Sequence, residues 1–416
     1  MPHNGPYIPT CDSIRTTLCV DGRTVVLNDE QSYLFTCFKS NPTDDPTFNT
    51  NFWTTLHPAI RRVPRAYTLV KRERLASSSP KACTESHAWA CIDGRRIRLL
   101  NYKTEHPHIF VGRGLHPLRG SCKRSVKRKD VVINRINEPT LRIAGYDNYV
   151  LRPNVQWTAC WKDPLTKRLK YVLMADTSRV VHKFDQARSL HSRLSRLRKQ
   201  NKANASSNPG DKLGQLALAT HLIDKLGIRI GNEKDPDVEV LTTGCCSLEK
   251  ETHVKILRRP ANCIRLSFVG KDSIPFDTTV KLSDDYFPVV ARAFQSTHSK
   301  LLFDKITPAS LNNYLHTLFP NLTAKVFRTC IASSTFQKTL HETGDLLQAN
   351  RRVAAICNHR RINNGSYMLN LNTSRLNYID PRIYFSYIRQ HPSKRRKGWF
   401  QEHSEWAGSV DSEYRF

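Results

Sequence analysis

Over the first 180 residues, hydrophobic and polar residues alternate in short stretches that are typical of strands. Alternating segments lie on either side of Asp21-Gly22, and this predicts a β-hairpin because Asp-Gly favours the tight turn between antiparallel strands. A second hairpin is predicted from Trp157 to Met174. The run 41–50 is rich in Pro, Asp and Thr, which predicts a loop.

Beyond residue 180 the apolar residues recur at the three-to-four spacing of an amphipathic helix. Leucines at 190, 194 and 197 predict a helix over 184–200, and a polar loop is predicted over 201–211. Another helix is predicted over 213–226. Later strands are predicted over 254–257 and 263–269, and later helices over 288–296, 308–318, 324–342 and 344–357.

The charge of the chain indicates the kind of partner. Its 416 residues include 65 Lys and Arg but only 36 Asp and Glu, which gives a net charge of +29. A surplus of this size favours a polyanion, most readily a nucleic acid. A ribosomal-type structural protein or an anionic membrane surface are the alternatives on charge alone.

Other global features narrow the compartment. No stretch approaches the roughly 18 consecutive apolar residues of a spanning helix. The first residues lack the basic flank and apolar run of a signal peptide, so we expect an intracellular, reducing environment. None of the 12 cysteines forms a Cys-x-x-Cys pair, which favours buried free thiols over zinc or disulfides.

The candidate chemistry is carried by one tyrosine and four basic residues. Arg229, Lys271, Arg328 and His359 precede Tyr378 in the chain, and this set suits metal-free attack of a tyrosine on a phosphodiester. Tyrosine can form a covalent intermediate, fixed cations can stabilise the phosphoryl charge, and lysine can protonate the leaving oxygen. Taken singly, each residue has an ordinary structural or solvated interpretation.

Other chemistries find little support in the sequence. Gly270-Lys271 lacks the upstream glycine and the following hydroxyl residue of a phosphate-binding loop. His341-Glu342 lacks the second histidine of a zinc helix, and no cluster of paired carboxylates resembles a two-metal nuclease site. We therefore expect neither a metal nor another cofactor.

Long motifs around these residues resemble the eukaryotic-type type IB DNA topoisomerases. Matches of eight to ten residues contain Arg229, Arg328, His359 and Tyr378. The full set is 112–117 (GRGLHP), 226–234 (LGIRIGNEK), 244–248 (GCCSL), 270–274 (GKDSI), 322–329 (LTAKVFRT), 350–359 (NRRVAAICNH), 374–382 (SRLNYIDPR) and 411–416 (DSEYRF). The resemblance is weakest over 28–100.

The resemblance implies an α+β fold in which two lobes clamp duplex DNA. A mixed α/β DNA-binding cap would span 1–179 and a mostly helical catalytic core would span 180–359. A short linker, 360–377, would lead to a C-terminal segment, 378–416, that carries the tyrosine. The long coiled-coil linker of the nuclear enzymes does not fit into 360–377, so the chain resembles a compact, linker-less form of the kind a virus could encode.

The resemblance also assigns roles. Tyr378 would form a 3′-phosphotyrosyl link, Lys271 would act as general acid, and Arg229, Arg328 and His359 would stabilise the transition state. The reaction would need neither ATP nor metal. Further residues are expected at the DNA: Arg113, Lys123, Arg124, Lys234, Asp272, Lys325 and Asn377.

Two rival functions remain at this point. A tyrosine recombinase would share the nucleophile, but recombinases usually carry histidine three residues before the second arginine, where this chain has Lys325. A catalytically inactive DNA-binding clamp is the second rival. We expect a monomer that acts on supercoiled DNA in the nucleus or at a viral replication site, away from membranes. Camptothecin-type inhibitors would contact Arg113, Asp272 and Asn377.

Overall fold

The computed structural model describes residues 3–11, 14–74, 85–112, 114–136, 138–153, 155–175, 177–232, 242–296, 298–363 and 366–416. Within these ranges the chain divides into two compact units, one up to residue 175 and one from residue 177 onward. Both units combine helices with sheets, which confirms the expected mixture of the two. No helix in the described ranges is long and apolar enough to cross a membrane.

The first unit is built on two main sheets. Its elements are β1 (Ile14–Val20), β2 (Arg23–Leu27), α1 (Asp29–Ser40), α2 (Pro46–Leu56), β3 (Tyr67–Arg74), β4 (Trp89–Ile92), β5 (Arg95–Leu100), β6 (His108–Ile109), β7 (Cys122–Lys123), β8 (Val131–Asn134), β9 (Asn148–Val150), β10 (Trp157–Lys162) and β11 (Leu169–Met174). One sheet has the antiparallel order β2-β1-β3, and the other has the order β4-β5-β11-β10-β8-β9, in which β8 and β9 run parallel. A separate two-stranded pair is formed by β6 and β7.

Both hairpins predicted in this unit are confirmed. β1 pairs with β2 around Asp21 and Gly22, which adopt φ values of 44° and 79°. Positive φ at both positions is what a type I′ turn requires, so the Asp-Gly pair fits the turn. β10 pairs with β11 in the second hairpin.

The prediction of a loop over 41–50 is wrong for its second half, where α2 begins. Asp45 caps this helix by accepting a hydrogen bond from the Phe48 N–H at 3.2 Å, and Pro46 occupies its first position. Asp and Pro both favour the start of a helix, but they also favour turns. The sequence alone does not show the packing partner that stabilises the helix here. The partner is α1, where Phe38 stacks on Phe52 with ring centroids 3.9 Å apart.

The second unit is mostly helical and has one three-stranded antiparallel sheet in the order β12-β13-β14. A separate two-stranded hairpin, β15-β16, follows α9. The elements are α3 (Thr177–Ser207), α4 (Lys212–Leu226), α5 (Lys250–His253), β12 (Val254–Leu257), β13 (Cys263–Gly270), β14 (Ile274–Lys281), α6 (Phe287–Gln295), α7 (Pro308–Leu318), α8 (Ala324–Thr343), α9 (Leu346–Ile356), β15 (Arg360–Asn363), β16 (Ser366–Leu369), α10 (Leu371–Asn377) and α11 (Pro381–Gln390).

α3 is longer than predicted, because the polar stretch expected to be a loop continues the helix as far as Ser207. Asn201 donates to the carbonyl oxygen of Ala217 at 2.8 Å and to the Tyr286 hydroxyl at 3.0 Å. These bonds satisfy a buried amide that would otherwise disfavour a helix interior. The loop prediction for 201–207 is therefore wrong because these contacts with distant parts of the chain stabilise the helix.

The core of the second unit determines which helix ends lie close together. α8 packs against α3, α4 and α9 around buried residues such as Leu222, Phe327 and Phe336. α4 ends at Leu226 because Gly227 takes the left-handed conformation, with φ of 61°. This packing brings the segment after α4, the buried face of α8 and the end of α9 to one side of the unit.

Candidate active site

Tyr378 lies at the end of α10, where the chain turns from one helix into the next. Its N–H donates to the Ser374 carbonyl oxygen at 3.0 Å. From the opposite side, the Ser333 hydroxyl of α8 donates to the Tyr378 carbonyl oxygen at 3.1 Å and accepts from the Asp380 N–H at 3.0 Å. The side chain is only 7% exposed. Its backbone is thus fixed by two helices.

The chain after Tyr378 is anchored by a buried ion-pair network. Asp380 is completely buried and caps α11 by accepting from the Arg382 N–H at 2.9 Å. Its carboxylate also pairs with the Arg382 guanidinium at 2.8 Å and accepts from the Tyr414 hydroxyl at 2.9 Å. Arg382 bonds in addition to Asp185 of α3 at 2.6 Å. The network ties α11 and the C-terminal segment to the rest of the unit.

Arg328 and His359 lie against the Tyr378 ring. The His359 and Tyr378 rings stack with centroids 4.8 Å apart, and the Arg328 guanidinium carbon is 5.0 Å from the Tyr378 centroid. One guanidinium nitrogen, Nη2, lies 2.9 Å from His359 Nε2 and donates to the Cys357 carbonyl oxygen at 3.2 Å. Arg328 is 6% exposed, and its Nε is buried without a hydrogen-bond partner among the described residues.

The hydrogen bonds around His359 define which ring nitrogen carries the proton. A guanidinium can only donate, so Nε2 must accept from Arg328 and the proton must reside on Nδ1. Nδ1 lies 2.8 Å from the Ser374 hydroxyl, which therefore accepts. Burial and then the charges of Arg328 and Arg229 lower the pKa of His359 to about 3, so the ring is neutral near pH 7.

Arg229 reaches the same place from the segment that follows α4. Its carbonyl oxygen accepts from the Cys245 N–H at 2.7 Å, which holds this segment against residues 244–247. The approach needs glycine, because a Cβ on Gly244 would lie 2.4 Å from the Gly231 Cα. Desolvation followed by the charge of Arg328 lowers the pKa of the Arg229 guanidinium, and the nearby Tyr378 acts in the opposite direction.

Lys271 lies at the tip of the β13-β14 hairpin. Asp272 and Ser273 in the turn adopt left-handed φ values of 66° and 60°. Lys271 and Asp272 line one cleft of about 90 Å³ together with Arg229, Arg328 and His359. The structure therefore brings the four candidate basic residues around one small cleft, and two of them, Arg328 and His359, contact the Tyr378 ring. Such a cleft can bind a phosphate and stabilise charge that develops on it.

The expected DNA-binding residues are placed unevenly. Lys325 is exposed one turn before Arg328, and Asn377 is exposed next to Tyr378. Lys123 is 5% exposed and forms ion pairs with Asp163 and Glu105, so its ammonium has protein partners rather than a free path to a phosphate.

Arg124 is also engaged by the protein, because it donates to the carbonyl oxygens of Thr55 at 3.1 Å and Leu56 at 2.6 Å. Two further expected DNA-binding residues, Arg113 and Lys234, lie outside the described residues.

Two residues at the site were not predicted from the sequence. Ser374 is fully buried and bonds His359; its position one helical turn before Tyr378 is a signal that could have identified it. Lys183 of α3 donates to the Asn377 carbonyl oxygen at 3.0 Å. Desolvation and then the charge of Lys325 lower the pKa of Lys183 to about 8. No local pattern links Lys183 to the tyrosine segment.

Comparison with known proteins gives three matching family models. The DNA binding fragment of eukaryotic DNA topoisomerase I matches residues 64–174, and its catalytic core matches 175–375. The C-terminal topoisomerase domain matches 350–416. These models together cover the chain from residue 64 to its last residue.

Individual relatives agree with the family models. DNA topoisomerase 1 beta of Arabidopsis thaliana is 37% identical over 321 residues, which is 70% of this chain and 33% of the relative. DNA topoisomerase I, mitochondrial, of Rattus norvegicus is 36% identical over 331 residues, 73% of this chain and 54% of the relative. DNA topoisomerase 1 of Candida albicans is 35% identical over 303 residues, 67% and 38%. The chain thus spans between a third and about half of these relatives.

Proposed function

Because the chain belongs to the eukaryotic DNA topoisomerase I family, we propose that it relaxes supercoiled duplex DNA by transient cleavage of one strand, without ATP or metal. The observation that carries the proposal is the contact of Arg328 and His359 with the buried Tyr378, with Arg229 and Lys271 lining the same cleft as these two residues. A tyrosine surrounded by cations and neutral imidazole is suited to a dianionic transition state.

In the proposed reaction the Tyr378 hydroxyl releases its proton to solvent as its oxygen attacks the phosphorus. The bond from phosphorus to the 5′ oxygen breaks, and the DNA becomes linked to the protein through a 3′-phosphotyrosyl bond. Lys271 gives a proton to the departing 5′ oxygen. The free 5′ end rotates, and its hydroxyl then attacks the phosphotyrosine and restores the strand. Because the phosphodiester energy is kept in the tyrosyl ester, the cycle requires no nucleotide.

Arg328 would exchange its internal partners for the substrate. In the free protein its donors go to His359 and the Cys357 carbonyl oxygen, and its Nε has no partner among the described residues. A phosphate in the cleft offers charged acceptors, which form stronger hydrogen bonds with a guanidinium than a neutral nitrogen does. We propose that the phosphate draws Arg328 away from His359 Nε2.

Release of Nε2 allows His359 to become a donor to the phosphate. The ring must then change tautomer: Nε2 takes up a proton from solvent and Nδ1 releases its own proton to solvent, so that the ring stays neutral. Ser374 suits both states because its hydroxyl accepts from Nδ1–H and can turn to donate to a bare Nδ1. We propose Ser374 as the residue that positions His359 before and during the reaction.

The wider DNA contacts are also proposals. Residues 1–179 would act as a DNA-binding cap and 180–359 as the catalytic core, and the two would close around the duplex. The hairpin and α10 within 360–377 would join the core to the segment 378–416. Lys325 and Asn377 are the exposed candidates near the scissile phosphate. Arg113 and Lys234 are carried by the family motifs, and the salt-bridged Lys123 is a weaker candidate.

A monomer would suffice for this reaction, because every proposed catalytic residue comes from the second unit of one chain. The recombinase alternative is not favoured, since the family models are those of topoisomerases. We propose the nucleus or a viral replication site as the location, and fluorescence imaging of the tagged chain tests it. Camptothecin-type inhibitors would bind beside Asp272 and Asn377 in the covalent complex.

The function is tested with negatively supercoiled plasmid in a buffer that contains a chelator and no ATP. We expect a ladder of relaxed topoisomers and, after denaturant is added, protein attached to 3′ DNA ends. Tyr378→Phe should bind DNA with unchanged affinity and yield neither product, because only the attacking oxygen is missing. Binding without relaxation by the unaltered chain would identify an inactive clamp, and 3′-linked DNA from Tyr378→Phe would assign the nucleophile elsewhere.

A further inference from the structure

A second basic cleft lies in the C-terminal segment of the chain, on the side of α11. It has a volume of about 870 Å³, nearly ten times the cleft beside Tyr378. Four cations line it, and all four are exposed: Arg389, Arg395, Arg396 and Lys397. The apolar part of its wall includes Tyr384, Phe385, Ile388, Trp399, Phe400 and Ala407.

The wall of this cleft is held in place by buried groups. The Tyr384 hydroxyl donates to the Arg396 carbonyl oxygen at 3.2 Å and accepts from the Arg396 N–H at 3.1 Å. Phe400 is completely buried. Arg389 donates to the carbonyl oxygens of Ala407 at 2.9 Å and Gly408 at 2.7 Å. The backbone of residues 395–397, the basic run, is therefore held in place against packed side chains.

Within the described part of the chain, the cations of the cleft have no acidic partner. Among the described residues, no carboxylate lies within 4 Å of the side-chain nitrogens of these four residues. Arg396 does lower the pKa of Asp345, but less than the backbone hydrogen bonds from Gln348 and Leu347 do. Three adjacent exposed cations with no carboxylate close by among the residues that the structure describes favour a polyanionic ligand over a single small anion.

The cleft is joined to the nucleophile segment through Arg375 of α10. The Arg375 guanidinium carbon lies 5.9 Å from the Trp399 ring centroid and 5.8 Å from that of Phe400. Its Nη1 also donates to the Gly398 carbonyl oxygen at 3.4 Å. α10 ends one residue before Tyr378, so Arg375 connects the wall of this cleft to the helix that carries the nucleophile.

We propose that the cleft formed by Arg389, Arg395, Arg396 and Lys397 is a second DNA site, which binds backbone phosphates of the duplex that is held at Tyr378. The proposal rests on the proposed function for the identity of the polyanion. Contacts of this kind carry no base information, so the site adds affinity and orientation rather than sequence preference. It would hold the duplex next to the nucleophile during strand rotation.

The test compares two triple variants of equal charge. Arg395→Ala, Arg396→Ala and Lys397→Ala together remove the basic run, whereas Lys255→Ala, Arg258→Ala and Arg259→Ala together remove three exposed cations around the β12-β13 turn. That turn lies at the opposite end of β13 from Lys271. Affinity for a duplex of about 40 base pairs is measured between 50 and 200 mM salt, and plasmid relaxation by the unaltered chain is measured in parallel.

If the basic run binds three phosphates, the negative slope of log affinity against log salt should be shallower by about 2.7 in the cleft variant. The unaltered chain should then lose about 40-fold more affinity than that variant over this salt range. The control variant should keep the original slope. Equal slopes for both triple variants would overturn the proposal, as would equal competition by polyglutamate, which would indicate a general polyanion surface.

Two further outcomes distinguish the second DNA site from a nuclear import signal and from the proposed topoisomerase activity. Loss of nuclear accumulation with an unchanged salt slope would assign the basic run to an import signal and overturn the DNA site. A reduced slope for the cleft variant in a chain that does not relax plasmid would support the second DNA site while refuting the proposed topoisomerase activity.

Discussion

Replacement of Arg328 by methionine should inactivate the protein without destabilising it. Arg328 is 6% exposed and has no carboxylate partner within 4 Å among the described residues. Its guanidinium bonds a carbonyl oxygen and a neutral imidazole and lies close enough to Arg229 to lower the pKa of that side chain. Methionine has a similar length and no charge.

The expected change in the free energy of unfolding is a difference between two terms. Two hydrogen bonds are lost, each worth about 0.5–1.5 kcal/mol net, or somewhat more because the donor is charged. Against this, a buried cation that costs several kcal/mol to desolvate is removed, together with its repulsion of Arg229. We therefore expect a net change between roughly −1 and +1 kcal/mol.

Arg382→Met is the matched control. Arg382 is also largely buried, but it pairs with the fully buried Asp380 at 2.8 Å and with Asp185 at 2.6 Å. Its removal leaves a carboxylate uncompensated in the interior, which typically costs about 3–5 kcal/mol. The two variants remove the same charge at the same kind of depth, so their difference isolates the effect of a partner.

Denaturant unfolding measures both variants, and single-turnover cleavage of a suicide duplex measures Arg328→Met. The cleavage rate should fall by about 10²–10³, as it does when one preorganised donor is removed from a charged transition state. If Arg328→Met proves as destabilising as Arg382→Met, Arg328 is an ordinary structural residue. The view that it is held ready for a phosphate would then be wrong.

Three other predictions address the remaining groups. Lys271→Ala should regain cleavage on DNA with a 5′-bridging sulfur, because a thiolate leaves without a proton; absence of rescue in a cleavage assay would mean that Lys271 is not the acid. The pKa of His359 is about 3 in the folded chain, below its ordinary 6.5, so the free energy of unfolding should fall as the pH drops below 6.5. At pH 4.5 the contribution of His359 to this fall is about 2–3 kcal/mol. His359→Gln should lose less stability between pH 7 and 4.5 than the unaltered chain, which acid unfolding measures. Ser374→Ala should slow cleavage about 10-fold and change the ¹⁵N shifts of the His359 ring, and Ser374→Thr should restore both, whereas a purely structural role would leave those shifts unchanged.

The parts of the fold that could be predicted are those whose signals are local. α7 occupies 308–318 as expected, because the capping residue Thr307 and the proline at its first position lie beside its apolar positions. α8 ends before Gly344, which takes the left-handed φ of 62°. The stretch 201–207 failed because the partners of Asn201, on α4 and at Tyr286, are distant in sequence.

The candidate site shows the same division. The motifs indicated the five proposed catalytic residues, and the structure brings their side chains around one cleft and one ring. The tautomer of His359 and the contact of Lys183 with Asn377 were not predictable, since each depends on a hydrogen bond between separate helices or strands. The burial of Lys123 against Asp163 was not predictable either, because its neighbours in sequence are basic residues of the kind that usually face solvent.

The segment between His359 and Tyr378 explains how a short connection can position a nucleophile. The Asn370 N–H donates to the His359 carbonyl oxygen at 2.7 Å, which closes the base of the β15-β16 hairpin and starts α10 beside the histidine. One turn into α10, Ser374 bonds the His359 ring, and the helix ends at Asn377, directly before Tyr378. The hairpin, the helix and two hydrogen bonds thus determine the distance between histidine and tyrosine. A longer excursion at the hairpin tip would leave these contacts unchanged, so the geometry of the proposed reaction does not depend on the length of the linker.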